Sequence, residues 1–271
     1  MNFKFFSSRA YPKKSGILNY EPKKLRCLLL QPFLGLILIA SAISASPAPG
    51  IREAESFNRD WKFQLGDFAA ASRVVFDDSG WSQIGLPHSF SLPYFASDKY
   101  YVGYGWYRKH FDVPADWVGK RINLEFDGVF QVAVLFVNGQ RVGEHRGGYT
   151  GFNFDITGAV KPGDNVVAVR VNNLWDARLA PRAGEHVFSG GIYRDVRLVV
   201  TDPLHVTWYG TFVTTPQLSK ASATVNVKTE VVNEYDAAKS VRLKTSVLDA
   251  QGNTVAEMQS NETITPGTTN I

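Results

Sequence analysis

The chain has 271 residues, which is enough for one large or two medium domains. Its aromatic content of 13% and its many Gly, Asn, Asp and Pro residues between short apolar runs favour an all-β protein over a helical one. The formal net charge of +4 comes from residues 1–45, which hold seven of the 29 basic and one of the 25 acidic side chains and leave 22 basic against 24 acidic ones. The basic excess therefore does not belong to the folded part, which argues against a nucleic-acid partner.

The first 45 residues have the order of a secretory signal. A basic stretch ends at Arg26, an apolar run follows over 28–40, and small residues occupy most of 41–45. A membrane anchor is the alternative, but the run contains Pro32 and is short of the ~20 apolar residues that a spanning helix needs. We predict a cleaved signal peptide over 1–45, a secreted or periplasmic product without a stable membrane anchor, and a linker over 46–56.

Cysteine chemistry is excluded from the predicted mature chain. The only cysteine, Cys27, precedes the apolar run and is removed with the signal. Disulfides, thiol catalysis and cysteine-based metal sites are therefore not expected.

Short strands follow one another from Phe57 onward. Apolar residues alternate with polar ones at 122–126, 167–171 and 196–200, a period that places one face of each strand in a core. The apolar run 131–137 ends at Asn138-Gly139, the dipeptide that best tolerates the two positive φ angles of a type I′ hairpin turn. This pattern predicts a β-sandwich of jelly-roll size over 57–201.

A second set of strands begins after Asp202-Pro203. Apolar residues alternate with polar ones over 223–231 and 241–247, and Gln251-Gly252-Asn253 predicts a further hairpin turn. This resembles the first four or five strands of an immunoglobulin-like sandwich, which needs about 100 residues and seven strands. Only 69 residues lie over 203–271, so we expect an incomplete immunoglobulin-like domain there.

Several strings, in this order and spacing, resemble glycoside hydrolase family 2, the family of β-galactosidase-like enzymes. They are FNRDWKF at 57–63, LPH at 86–88, GWYRK at 105–109, VNGQRVGEHRGGYTGF at 137–152 and SGGIYRDV at 189–196. The resemblance implies a jelly-roll sugar-binding domain, an immunoglobulin-like domain and then a catalytic (β/α)₈ barrel. In the barrel of such retaining enzymes two Glu residues act as acid/base and nucleophile, about 5–5.5 Å apart.

No part of the sequence resembles that barrel, whose alternating strands and helices are missing. The chain is thus expected to be a non-catalytic portion of a larger enzyme, without catalytic residues, metal ligands or cofactor, and inactive by itself. The missing barrel is its expected protein partner.

The candidate substrate-binding residues are His88, Ser89, Tyr100, Tyr101 and Glu185. By the resemblance, His88 and Ser89 lie in a loop that approaches the active site, and Glu185 lies where an acid reaches toward the substrate hydroxyls or a bound cation. Tyr100 and Tyr101 belong to an aromatic-rich segment that could stack on the C–H face of a sugar. The alternatives are a structural hydrogen bond for His88, a solvated acid for Glu185, and core packing for the tyrosines. Trp106 and Tyr107 are expected in the core, and Arg108 and Lys109 are expected to be structural.

The sequence therefore predicts the carbohydrate-binding front portion of a secreted β-galactosidase-type glycoside hydrolase, whose ligand is a β-galactoside or a related glycoside. The alternative is a free-standing carbohydrate-binding protein without catalysis. Galactoside, glucuronide and mannoside specificity all stay open, because the barrel makes most of that choice.

Overall fold

The computed structural model describes residues 52–90, 101–179 and 189–270, and over 268–270 it describes the backbone only. Within these ranges the chain forms fifteen β-strands, two short 3₁₀ helices (Ala69–Ser72 and Ala115–Trp117) and no α-helix. The predicted all-β class is confirmed. None of the described helical turns is long and apolar enough to cross a membrane.

The chain divides into two compact units. The first comprises Gly50–Lys239 and Thr263–Ile271, and the described part of the second is Ser240–Glu262. The strands, in chain order, are β1 (Arg52–Ser56), β2 (Trp61–Leu65), β3 (Ser82–Ile84), β4 (Tyr104–Val113), β5 (Arg121–Phe126), β6 (Val132–Val137), β7 (Gln140–Arg146), β8 (Phe152–Asp155), β9 (Gly163–Asn172), β10 (Val196–Thr201), β11 (Leu204–Leu218), β12 (Ala223–Asn233), β13 (Lys239–Leu248), β14 (Thr254–Ile264) and β15 (Gly267–Asn270).

Two antiparallel sheets form a sandwich in the first unit. One has six strands in the order β3-β2-β4-β9-β6-β7, and the other has four in the order β1-β10-β5-β8. In the four-stranded sheet Ile122, Leu124 and Phe126 are all at most 3% exposed, which confirms the predicted alternation. They share one buried cluster with residues such as Tyr107 and Val169 of the six-stranded sheet. This cluster is the core of the sandwich.

The hairpin predicted at Asn138-Gly139 joins β6 to β7. Asn138 has φ of 50° and Gly139 of 83°, the left-handed values that such a turn requires. The Asn138 side chain also donates to Ala159 O and accepts from Val166 N at 2.9 and 3.0 Å. The turn residue thus fixes the hairpin against two neighbouring segments.

Trp106 and Tyr107 point to opposite faces of β4, and both are buried as predicted. Tyr107 lies in the sandwich core and is fully inaccessible. Trp106 packs on the other face with Ala71 and Ala168 and stacks on Phe136 at a ring distance of 5.8 Å. The six-stranded sheet is therefore covered on both faces around this point.

A buried ion cluster fastens the segment before β3 to this outer face. Arg108 is 0% exposed, and its Nε donates to Asp78 Oδ2 at 2.8 Å. Asp78 also accepts from Lys62 Nζ and contacts His110 Nε2, both at 2.9 Å. Burial alone would raise the pKa of Asp78, but the hydrogen bonds from Arg108, Lys62 and His110 outweigh it and hold that pKa well below 3.8. The structural role expected of Arg108 is confirmed by this cluster.

The strands after Pro203 form smaller sheets. In the first unit β11, β12 and β15 make a three-stranded sheet, in which Val231 is buried and the Asn233 amide donates to Ile264 O at 2.8 Å. Strands β13 and β14 pair as a two-stranded sheet, with the predicted turn at Gly252. The predicted continuation of the chain in β-strands after Pro203 is confirmed in both units.

The buried ion cluster gives a direct test of this packing. The substitution Asp78→Ala leaves the Arg108 guanidinium buried without its carboxylate, so we expect the free energy of unfolding to fall by about 3–5 kcal/mol. Denaturant unfolding followed by tryptophan fluorescence measures the change. The matched control is Asp77→Ala, an adjacent aspartate whose recorded bond is to Ser79 N. Equal losses in the two variants would contradict a special role for the cluster.

Candidate functional site

Two loops meet at one end of the sandwich and bring predicted site residues together. His88 N donates to Ile192 O at 2.8 Å, and Phe90 N donates to Gly190 O at 3.3 Å. Between these two bonds the Ser89 hydroxyl donates to Ser189 O. The loop 86–90, which follows β3, is therefore hydrogen-bonded to residues 189–192, which precede β10. We call this pair of segments the loop cluster.

Glycine makes this close approach possible. Gly191 has φ of +115°, and a Cβ atom there would lie 2.6 Å from His88 O and 2.7 Å from Tyr107 Oη. Neither contact is sterically allowed, and the φ value itself is strained for any side chain. The glycine at position 191 of the Ser189-Gly190-Gly191 turn is therefore required by the close packing of the two loops.

Core residues contact both the ring nitrogen and the ring face of His88. Its Nδ1 lies 2.9 Å from Tyr107 Oη, and its ring packs on Phe63 at a centroid distance of 4.6 Å. Burial lowers the pKa of His88 below 6.5. The imidazole is therefore favoured in its neutral form, with one ring nitrogen as donor and the other as acceptor.

The buried Tyr107 favours one tautomer of the neutral His88 ring. Burial raises the pKa of Tyr107 far above 10.0, so its hydroxyl keeps its proton. Ile192 N donates to this hydroxyl at 3.4 Å, so the proton of the hydroxyl has His88 Nδ1 as its recorded acceptor. This arrangement favours the tautomer of neutral His88 with its proton on Nε2, in which that nitrogen is a hydrogen-bond donor.

Tyr101 lies at the same end of the sandwich. Its hydroxyl donates to Tyr104 O at 2.9 Å, and its half-buried ring packs edge-on against Phe90 at 5.8 Å. Asn173, which follows β9, donates its amide to Tyr101 O and accepts from Gly103 N, both at 2.9 Å. Tyr101 is thus partly a packing residue, while its position keeps it next to the loop cluster.

Tyr100 and Glu185 lie outside the described residues, so their roles stay predictions. In the sequence Tyr100 directly precedes Tyr101, and Glu185 comes four positions before Ser189.

The groups at this end suit the binding of a neutral, hydroxyl-rich molecule. An imidazole N–H, hydroxyl groups and aromatic edges can hydrogen-bond hydroxyls and contact apolar C–H faces. No group of three or more His, Asp, Glu or Cys side chains that could hold a metal ion occurs in the described part of the chain.

The proton position on His88 can be tested directly. We expect the side-chain ¹⁵N and ¹³C NMR shifts of His88 at neutral pH to show a neutral ring protonated at Nε2. The variant Tyr107→Phe removes the recorded donor to Nδ1, so the ring should then populate both tautomers, and stability should fall by about 1–3 kcal/mol because Ile192 N loses its partner. An Nδ1-protonated His88 in the unaltered protein would contradict this assignment.

Comparison with known proteins identifies the domain. Residues 69–203 match the family model of the glycosyl hydrolases family 2 sugar binding domain. Over 231 residues the chain is 38% identical to the β-galactosidase BoGH2A of Bacteroides ovatus, covering 81% of this chain and 26% of that protein. It is 34% identical over 247 residues to a β-glucuronidase of Formosa agariphila, covering 80% of this chain and 25% of the relative.

A solved structure agrees in fold. The crystal structure of a Bacteroides uniformis β-glucuronidase superposes with a TM-score of 0.77 at 34% identity, over 81% of this chain and 27% of the other. The chain spans about a quarter of the length of these relatives. By its sequence strings, its domain match and its fold, the chain belongs to glycosyl hydrolase family 2 and carries the sugar-binding domain of that family.

Proposed function

We propose that this chain is the sugar-binding portion of a secreted glycoside hydrolase that acts on β-galactosides, and that its loop cluster forms one wall of the substrate pocket. The observation that supports the proposal is the hydrogen bonding of 86–90 to 189–192, because it joins His88 and Ser89 to the Ser189-Gly190-Gly191 turn. The domain division into 57–201 and 203–271 belongs to the same proposal.

The proposed roles follow from the chemistry of each side chain. His88 donates from Nε2 to a substrate hydroxyl, and its position is fixed by Tyr107. Ser89 orients the loop through its bond to Ser189 O. Tyr100 and Tyr101 offer aromatic surface to the sugar, and Glu185 accepts from hydroxyl groups, which a carboxylate does well.

A catalytic (β/α)₈ barrel of the same family is the proposed protein partner. In this proposal the barrel carries the two catalytic carboxylates, and the sugar-binding domain contributes orientation and substrate contact. The name β-galactosidase of the 38% identical relative supports a β-galactoside as substrate. The name β-glucuronidase of other relatives makes a β-glucuronide the competing outcome of the test.

Sugar binding by the loop cluster is tested with the full chain. Titration with methyl β-galactoside, followed by ¹H–¹⁵N NMR, should show saturable binding in the millimolar range, which corresponds to ~4 kcal/mol. His88→Ala should weaken this binding about tenfold, because it removes a half-buried donor to the sugar.

His110→Ala is the matched control, since it removes a histidine near the Asp78 cluster on the other side of the six-stranded sheet. We expect it to leave the sugar affinity unchanged. Sugar-induced shifts of the loop-cluster amide signals that persist unchanged in His88→Ala would contradict the proposed role, and a preference for a glucuronide over the galactoside would contradict the proposed substrate.

A further inference from the structure

A second site lies on the outer face of the four-stranded sheet. There β11 and β12 cover part of the sheet and leave a cleft of about 330 Å³. Its floor is built by residues of β5, β8 and β10 that alternate with core residues, among them Asn123, Asn153 and Thr201. Its opposite wall includes Trp208 and Glu230. The cleft shares no lining residue with the loop cluster.

The floor carries polar groups without partners. Thr201 is 3% exposed, and its Oγ1 is buried without a hydrogen bond in the described part of the chain. The side-chain amides of Asn123 and Asn153 are not engaged by any described residue either. The Thr201 hydroxyl itself is closed off from the cleft, so the two amides are the floor groups that a ligand or ordered water can hydrogen-bond.

The charged residues around the floor are mostly paired with one another. Arg52 contacts Glu125 at 2.5 Å, Arg121 contacts Glu234 at 2.8 Å, and Thr207 donates to Glu230 at 3.2 Å. The Arg121–Glu234 pair joins the two walls, and the amides of Asn123 and Asn153 remain as the groups free to bind. Such uncharged groups, each able to donate and to accept, match the hydroxyls of a sugar.

Trp208 adds an aromatic surface to the cleft. Its half-buried indole lines the cleft and packs against Tyr209 at a ring distance of 4.2 Å. An aromatic ring beside polar groups can take the apolar C–H face of a sugar while the polar groups take its hydroxyls. The volume lies at the small end of the range for small-molecule sites, which suits a single sugar ring.

Charge selects among sugars. The cleft is lined by four acids (Glu125, Asp155, Glu230 and Glu234) against two arginines (Arg52 and Arg121), which gives these six side chains a formal balance of −2. A carboxylate on the ligand would be repelled at short range, whereas hydroxyls are good donors to these acids. A neutral sugar is therefore favoured over a uronic acid.

We propose that this cleft binds a neutral sugar ring, and that Asn123 and Asn153 bind its hydroxyls while Trp208 packs against it. This site is additional to the one at the loop cluster and does not depend on it.

The test uses the full chain labelled with 5-fluorotryptophan and ¹⁹F NMR. The chain contains six Trp residues, so Trp208 is assigned from the resonance that disappears in Trp208→Phe. Titration with methyl β-galactoside should shift the Trp208 resonance saturably, and this shift should persist in His88→Ala. Glucuronic acid should shift it with at least tenfold weaker affinity.

Asn123→Ala should weaken the binding reported by Trp208 about tenfold, because it removes a floor amide. The matched control Asn226→Ala, an exposed asparagine on β12 outside the cleft, should leave it unchanged. Both variants are checked for an unaltered melting temperature. The proposal is overturned if the Trp208 resonance does not respond to the sugar, if Asn123→Ala binds as the unaltered protein does, or if glucuronic acid binds equally well.

The two variants distinguish failure of the cleft proposal from failure of the loop-cluster proposal. Loss of all sugar binding in His88→Ala would remove the cleft proposal and leave the loop cluster. Binding that His88→Ala leaves intact but Asn123→Ala abolishes would remove the loop cluster and leave the cleft.

Discussion

The alternation of side chains along β5 and β10 determines both the core and the polar surface of this protein. Leu124 pairs with Leu198 on the inner face, and the flanking pair of Glu125 and Arg197 lies on the outer face. A slip of one residue would turn Ile122, Leu124 and Phe126 toward water, at about 1.5–3 kcal/mol for each side chain. The same slip would turn Arg121, Asn123 and Glu125 toward the apolar core. The register is therefore fixed from both faces at once.

This register also explains how a rigid sandwich positions its loops. Tyr107 is anchored in the core by β4, and its hydroxyl reaches the edge where His88 and Ile192 N meet. A loop residue is thereby oriented by a buried side chain instead of by the loop alone. The absence of a Cβ atom at Gly191 lets the two loops close over this hydroxyl. Sheet register, buried hydroxyl and imidazole orientation form one continuous chain of contacts.

Local patterns in the sequence predicted much of the fold. The alternation at 122–126 and 196–200, the Asn138-Gly139 turn and the burial of Trp106 and Tyr107 all depend on near neighbours, and the structure confirms them. The resemblance to a family singled out His88 and Ser89 as candidate substrate-binding residues. It did not identify Tyr107 as the partner of His88, because a buried aromatic ring in a strand carries no sign of what its hydroxyl contacts.

Features that need distant pairing were missed for a physical reason. Arg108 and Asp78 are 30 positions apart, and only the packing of the segment before β3 against β4 brings them together. Asn123 and Asp155 become neighbours through the pairing of β5 with β8. The cleft needs this pairing and the placement of β11 and β12 as well, so no single stretch of sequence could show it. The sign that was present is the run of polar residues at alternate positions of β5.

The central claim is that this domain binds neutral sugar through groups fixed by the sandwich. A crystal structure of the full chain soaked with methyl β-galactoside tests it most directly. We expect a sugar ring with a hydroxyl in hydrogen-bond distance of His88 Nε2 and a second ring between Asn123 and Trp208. Sugar density at neither place, or bound only elsewhere on the surface, would contradict the account.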